Sequence, residues 1–179
     1  APLIKKISVR VPESTVSQQS SDADLLEKVL IEKGFKDPIF SLDIVRMLPT
    51  TLRKGGHRMI VTLNGENEII DLESGAAITP MFGLAVDIGT TKVACYLHDL
   101  KNGELIEASS MMNPQIFYGE DILTRISHAF TYEEGLKDLH QTIVEGLNKL
   151  IENLLKARGI SKNQLYEMTV VGNTVMHHL

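Results

Sequence analysis

Between Leu84 and Leu100 the chain reads LAVDIGTTKVACYLHDL, and no other stretch limits the fold as tightly. Leu84 to Ile88 is almost wholly apolar, the pattern of a central strand covered on both faces. An acid, Asp87, stands just before a Gly-Thr-Thr break, and Val93 to Leu97 answers the first strand across that turn. Asn102-Gly103 marks a second tight turn, leading into ELIEASSMM, so three consecutive antiparallel strands are expected. Met111 and Met112 fall at the end of the third, one of them facing in.

Past residue 119 the pattern turns helical. Ile122, Ile126 and Phe130 recur at helical spacing in GEDILTRISHAF. Thr131 with Glu134 reads as a capping box for a long helix striped by Leu136, Leu139, Ile143, Leu147, Leu150 and Leu154, and Gly159 ends it. About 26 residues, or about 39 Å, suit a crossover spanning a large sheet. YEMTVVGNTVMHHL then supplies another buried strand, turns at Gly172 and halts as a helix starts, which suggests a domain cut short.

Upstream the character differs. IKKISVRVPES alternates, with Ile7, Val9 and Val11 on one side and Pro12 ending the ladder, so it reads as an edge strand or an extended linker. STVSQQSSD is a polar connector. Ser21 caps a helix whose apolar face is Leu25, Leu26, Val29 and Leu30; Gly34 closes it in the left-handed conformation, and Phe35 packs back on Leu30. A second helix starts at Ser41 and stops before Pro49. HRMIVTLNGENEIIDLE reads as two strands joined through Asn64-Gly65. The expected division is an extended segment at 1–19, a small α+β domain at 20–80 and an α/β domain at 81–179.

The formal net charge is -5, with no block of like charges, so no electrostatic footprint for nucleic acid or an anionic membrane is present. The single cysteine, Cys95, lies in an apolar strand, so neither a disulfide within the chain nor a cysteine ligand cluster can be built. A reducing cytoplasm fits best. No apolar run reaches the roughly 18 to 20 residues of a membrane span, and the start lacks the apolar core of a signal peptide.

Asp87, at the end of its strand, would stand at the sheet's carboxyl edge, where open α/β sheets bind ligands, and could hold Mg²⁺ directly or through water. Gly89 lets turn amides approach a phosphate; Thr90 and Thr91 add hydroxyls and Lys92 adds charge. The alternative is an ordinary hairpin whose Gly-Thr-Thr satisfies the turn. Gly172, Asn173 and Thr174 form a second such turn, where amides and a side-chain amide point at the same edge; the alternative is that Asn173 or Thr174 is only a cap. NPQIFYGED, with Asn113, Gln115, Tyr118, Glu120 and Asp121, reads as a loop before a helix or as a cleft lining, and Arg125 as one half of a surface ion pair. Adjacent His177 and His178 face different directions and have no ligand partners at metal spacing.

LAVDIGTTKVA resembles the first phosphate motif of the acetate kinase, sugar kinase, Hsp70 and actin group, with its ribonuclease H-like fold. That resemblance places Asp87 at the acid tied to Mg²⁺ or its waters and Gly89, Thr90 and Thr91 at the turn that grips ATP phosphates. NPQIFYGEDILTRISHA, MTVVGNTVMHHL and IKKISVRVPESTVSQQSSDADLLEKVL are similar to the ATP-dependent reductive activators of corrinoid proteins. There a linker and a small middle domain precede an actin-like ATPase domain. The resemblance implies ATP-driven return of a corrinoid cobalt from Co(II) to Co(I), with electrons from an iron–sulfur cluster outside this chain. A corrinoid protein or corrinoid methyltransferase system is the implied partner, and a homodimer the implied assembly. The second phosphate motif and the adenosine motif lie in the later half of such proteins, so the chain by itself is expected to bind ATP poorly. A small-molecule kinase of the same superfamily and a non-enzymatic actin-like module are the competing readings.

Overall fold

The structure, a computed structural model, describes residues 3–14 and 20–178. The chain divides into two compact units, Ala1–Thr79 and Pro80–Leu179.

In the first unit β1 (Ile4–Arg10), α1 (Asp22–Glu32), β2 (Ile39–Phe40), α2 (Leu42–Lys54), β3 (Arg58–Asn64) and β4 (Glu68–Ser74) follow in order. Their sheet runs β1-β3-β4-β2, with β1 and β4 antiparallel to β3 and β2 parallel to β4. Of the two readings of the opening segment, an edge strand is the one formed. Most of the polar connector, residues 15–19, lies outside the described residues.

Capping chemistry sets α1. The Ser21 hydroxyl accepts from the Asp24 amide at 3.1 Å and the Asp24 carboxylate accepts from the Ser21 amide at 3.0 Å. At the other end Gly34 takes φ +94° and the Phe35 amide donates to the Leu30 carbonyl, folding Phe35 against the core. Ser41 caps α2 as expected. The helix does not stop before Pro49, however; it runs through it to Lys54. Ile44, Leu48 and Leu52, spaced by four, are all buried in the same core. Burying Leu52 requires the turn beyond the proline, and its apolar area outweighs the hydrogen bond that Pro49 cannot make.

The second unit holds β5 (Phe82–Ile88), β6 (Lys92–Asp99), β7 (Leu105–Met112), α3 (Ile122–Thr131), α4 (Gly135–Ala157) and β8 (Leu165–Gly172). The sheet order is β7-β6-β5-β8; β5, β6 and β7 are antiparallel neighbours, and β8 returns parallel to β5 through α4. Ile143, Leu150, Leu154 and Leu155 of α4 pack with Val86, Val93, Cys95 and Leu97 into one core.

Three expectations change here. Thr131 and Glu134 form no capping box: Thr131 is the last residue of α3, and Glu134 caps α4 without a side-chain bond, its carboxylate 2.5 Å from Lys137 Nζ instead. The corner is set by close packing, since a Cβ on Gly135 would stand 2.4 Å from the His128 carbonyl oxygen. The helix therefore has 23 residues, and Leu136, before its buried stripe, is half exposed. Finally Met168, Val170 and Val171 of β8, the edge strand of this four-stranded sheet, are exposed rather than buried. No helix among the described residues is long and apolar enough to cross a membrane.

Candidate functional site

Pairing of Ile88 with Gly172 in the parallel β5–β8 ladder brings the carboxyl ends of two strands side by side. The turns that leave them, Gly89-Thr90-Thr91 and Gly172-Asn173-Thr174, therefore share one sheet edge. The Asn173 side-chain amide donates to Thr90 Oγ1 at 3.2 Å, and its Oδ1 accepts from the Met176 amide at 3.1 Å. Asn173 thus caps its own turn with one atom and ties it to the first turn with the other.

Asp87, the last polar residue of β5, is exposed, and its carboxylate has no hydrogen bond or ion pair among the described residues. Gly89 closes the first turn by donating to the Lys92 carbonyl at 3.0 Å. A Cβ there would lie 2.6 Å from that oxygen, so the turn admits no larger residue without opening. Thr91, Lys92 and Thr174 are exposed and joined to no other site residue by a side-chain hydrogen bond among those described. Thr174 instead lines an apolar cavity of about 340 Å³ with Ile126, Phe130, Val175 and others.

Behind the first turn lies a buried polar cluster, at positions whose sequence reads as a loop or a cleft lining and a surface arginine. Asn113, Gln115 and Arg125 are each 0–1% exposed. The Asn113 side chain donates to the Gly89 carbonyl at 2.8 Å, and its backbone amide to the Thr91 carbonyl at 2.8 Å. Arg125 donates through Nη2 to the Thr90 carbonyl at 2.6 Å and through Nε to the Gly119 carbonyl at 2.9 Å. Gln115 bridges to the Leu139 carbonyl at 3.1 Å, tying the cluster to α4. Met176 sulfur sits 3.8 Å from Arg125 Nη1 and 3.9 Å from Asn113 Nδ2, linking the second turn to the same cluster.

Arg125 is therefore not half of a surface ion pair. Burial pulls its guanidinium below the ordinary value, with Asp121 pulling the other way, yet a guanidinium stays charged. Asp121 caps α3, and hydrogen bonds from the Thr124 amide and hydroxyl hold its carboxyl below the usual range. A signal for Arg125 does exist in the sequence. Positions 122, 125, 126 and 129 share one helical face, so an arginine there stands on the side that packs. The Asn-Pro pair at 113–114, a cap followed by the proline favoured at the first helical position, marks the other half.

A free carboxylate at a strand end beside two facing turns, on a sheet crossed by one long helix, defines an α/β module whose polar turns meet at one sheet edge. The sequence profile of the RACo middle region matches residues 82–179, and that of the RACo linker region matches residues 1–77. The chain belongs to the RACo family. The corrinoid activation enzyme RamQ of Eubacterium limosum is 32% identical over 179 residues, which is 99% of this chain and 30% of RamQ. The solved structure of a reductive activator for corrinoid, iron-sulfur protein superposes with a TM-score of 0.87 at 30% identity, over 99% of this chain and 29% of that one. The chain thus spans under a third of the length of these relatives. The family favours the activator reading over a small-molecule kinase or a non-enzymatic module.

Proposed function

We propose that this chain supplies the first phosphate-binding wall of an ATP-dependent activator that returns a corrinoid cobalt on a partner protein from Co(II) to Co(I). The observation that carries the reading is the first turn, whose carbonyls are all held from behind while the amides of Thr90 and Thr91 have no protein acceptor among the described residues. Such amides are free to meet a phosphate. The strand order β7-β6-β5-β8, three antiparallel strands and a parallel fourth, supports a ribonuclease H-like, actin-like ATPase fold continued by further chain.

Asp87 fits a hard cation: it is an exposed, unpartnered carboxylate beside the turn. Magnesium, when bound, neutralises phosphate charge, and Asp87 would hold it, through water. Gly89, Thr90 and Thr91 would receive phosphate oxygens, Lys92 would add positive potential, and Gly172, Asn173 and Thr174 would bound the cleft from the neighbouring strand. An iron–sulfur cluster does not fit these residues. The only cysteine, Cys95, is buried in β6, so no electron-transfer step is assigned to this chain. Nucleotide can drive the cobalt reaction only by binding two conformations of the activator with different affinity, and a cleft that closes on phosphate provides that difference.

The test is anaerobic. The full-length gene product is mixed with a Co(II) corrinoid protein and a low-potential reductant, and the visible bands of Co(II) and Co(I) are followed with and without Mg-ATP. Conversion should require ATP and slow by about tenfold or more in Asp87→Asn. Conversion that ignores ATP, or an Asp87→Asn protein as fast as the original, overturns the reading.

A further inference from the structure

We infer that Arg125 is the positioning residue of the phosphate turn, aiming the Thr90 and Thr91 amides outward and setting positive charge behind them. The inference rests on the reading of this turn as a nucleotide phosphate site. Its ground is the geometry of the peptide planes. Every peptide bond of the turn is trans, so the carbonyl and the N–H of one plane point in opposite directions. The plane whose oxygen belongs to Gly89 carries the Thr90 N–H, and the plane whose oxygen belongs to Thr90 carries the Thr91 N–H.

Both oxygens are held from inside, the first by Asn113 Nδ2 at 2.8 Å and the second by Arg125 Nη2 at 2.6 Å. Holding them inward leaves the two N–H groups facing away from the cluster, and neither finds an acceptor among the described residues. Arg125 is itself fixed. Its Nε donates to Gly119, Nη1 lies 3.4 Å from Gln115 Oε1, and the side chain is fully buried. A guanidinium on the Thr90 carbonyl also polarises that peptide, strengthening the Thr91 N–H as a donor. Met176 brings the second turn against Arg125 while Asn173 ties it to Thr90, so Arg125 also bears on the spacing of the two walls.

This arrangement selects for the charged part of the ligand. The hydrogen bonds of Arg125 run to the turn and to the segments behind it, so its loss should weaken phosphate binding and leave the nucleoside alone. A lysine keeps the charge but cannot reach Gly119, Gln115 and Thr90 at once. Calorimetric titration of the full-length gene product and its Arg125→Lys variant with Mg-ADP, Mg-ATP and adenosine reads the difference. Affinity for both phosphorylated ligands should fall about tenfold or more while adenosine is unchanged. In Arg125→Ala, millimolar methylguanidinium should restore Mg-ADP binding, while adenosine binding that stays unchanged throughout separates this role from a general loss of structure. Folded variants that bind all three ligands as the original does overturn the inference, as does a parallel loss for adenosine and ADP or a folded Arg125→Ala protein without rescue. If Asp87→Asn weakens Mg-ADP and the Arg125 variants do not, this inference alone fails. If the unaltered protein binds neither nucleotide, the phosphate reading falls and this inference with it.

Discussion

Alanine in place of Gly89 is the smallest change that should disable the turn. Its Cβ would stand 2.6 Å from the Lys92 carbonyl oxygen, where ordinary contact begins at 3.4 Å. Lys92 opens β6 and cannot retreat without unpairing it, so the turn must open by most of an ångström. That stretches the 3.0 Å bond from the Gly89 amide to Lys92 beyond hydrogen-bonding range, a loss of about 1 kcal/mol. The Gly89 and Thr91 carbonyls move off Asn113, which holds both at 2.8 Å, at about 0.5–1.5 kcal/mol each. Against this, alanine makes the unfolded chain less flexible, which returns about 0.4–1 kcal/mol. The net expectation is about 2 kcal/mol of destabilisation confined to the second unit. Amide hydrogen exchange along β5 and β6, with a urea titration followed by circular dichroism, measures it. A loss under about 0.5 kcal/mol, with the Asn113 side-chain amide resonances unmoved, would show that the turn yields freely and that its carbonyls are not clamped.

Local geometry sets two further outcomes. Pro49→Ala restores a donor for the Val45 carbonyl inside α2, so the first unit should gain about 1–3 kcal/mol and melt several degrees higher; an unchanged melting temperature would mean that the proline ring's packing compensates. Asp121 has its carboxyl held low by the Thr124 hydrogen bonds. Its contribution to α3 is then fully present above the ordinary carboxylate value near 3.9 and is lost as pH falls through the lower folded value. NMR titration of the Thr124 amide should show that loss in the original protein and not in Asp121→Asn, and a Thr124 amide that titrates identically in both would contradict the cap's role.

The sequence by itself determined whatever depends on a few adjacent residues. Ser21, Ser41 and Gly34 announce helix ends because a hydroxyl three residues from an amide, or a glycine free to take positive φ, acts within one turn of chain. The Gly-Thr-Thr reversal and the antiparallel trio β5, β6 and β7 were legible for the same reason: two apolar strands joined by a tight turn have one way to pair. Tertiary structure decided the rest. Pro49 stays inside a helix because Leu52 beyond it is buried. The clamp on the phosphate turn joins Arg125 to Thr90 across 35 positions, and Asn173 reaches Thr90 across 83. A hydrogen bond across such a separation leaves no local pattern, since the same residue types would serve as a solvated face or a simple cap. Only the folding of α3 and β8 against the end of β5 assigns them to the back and side of one turn.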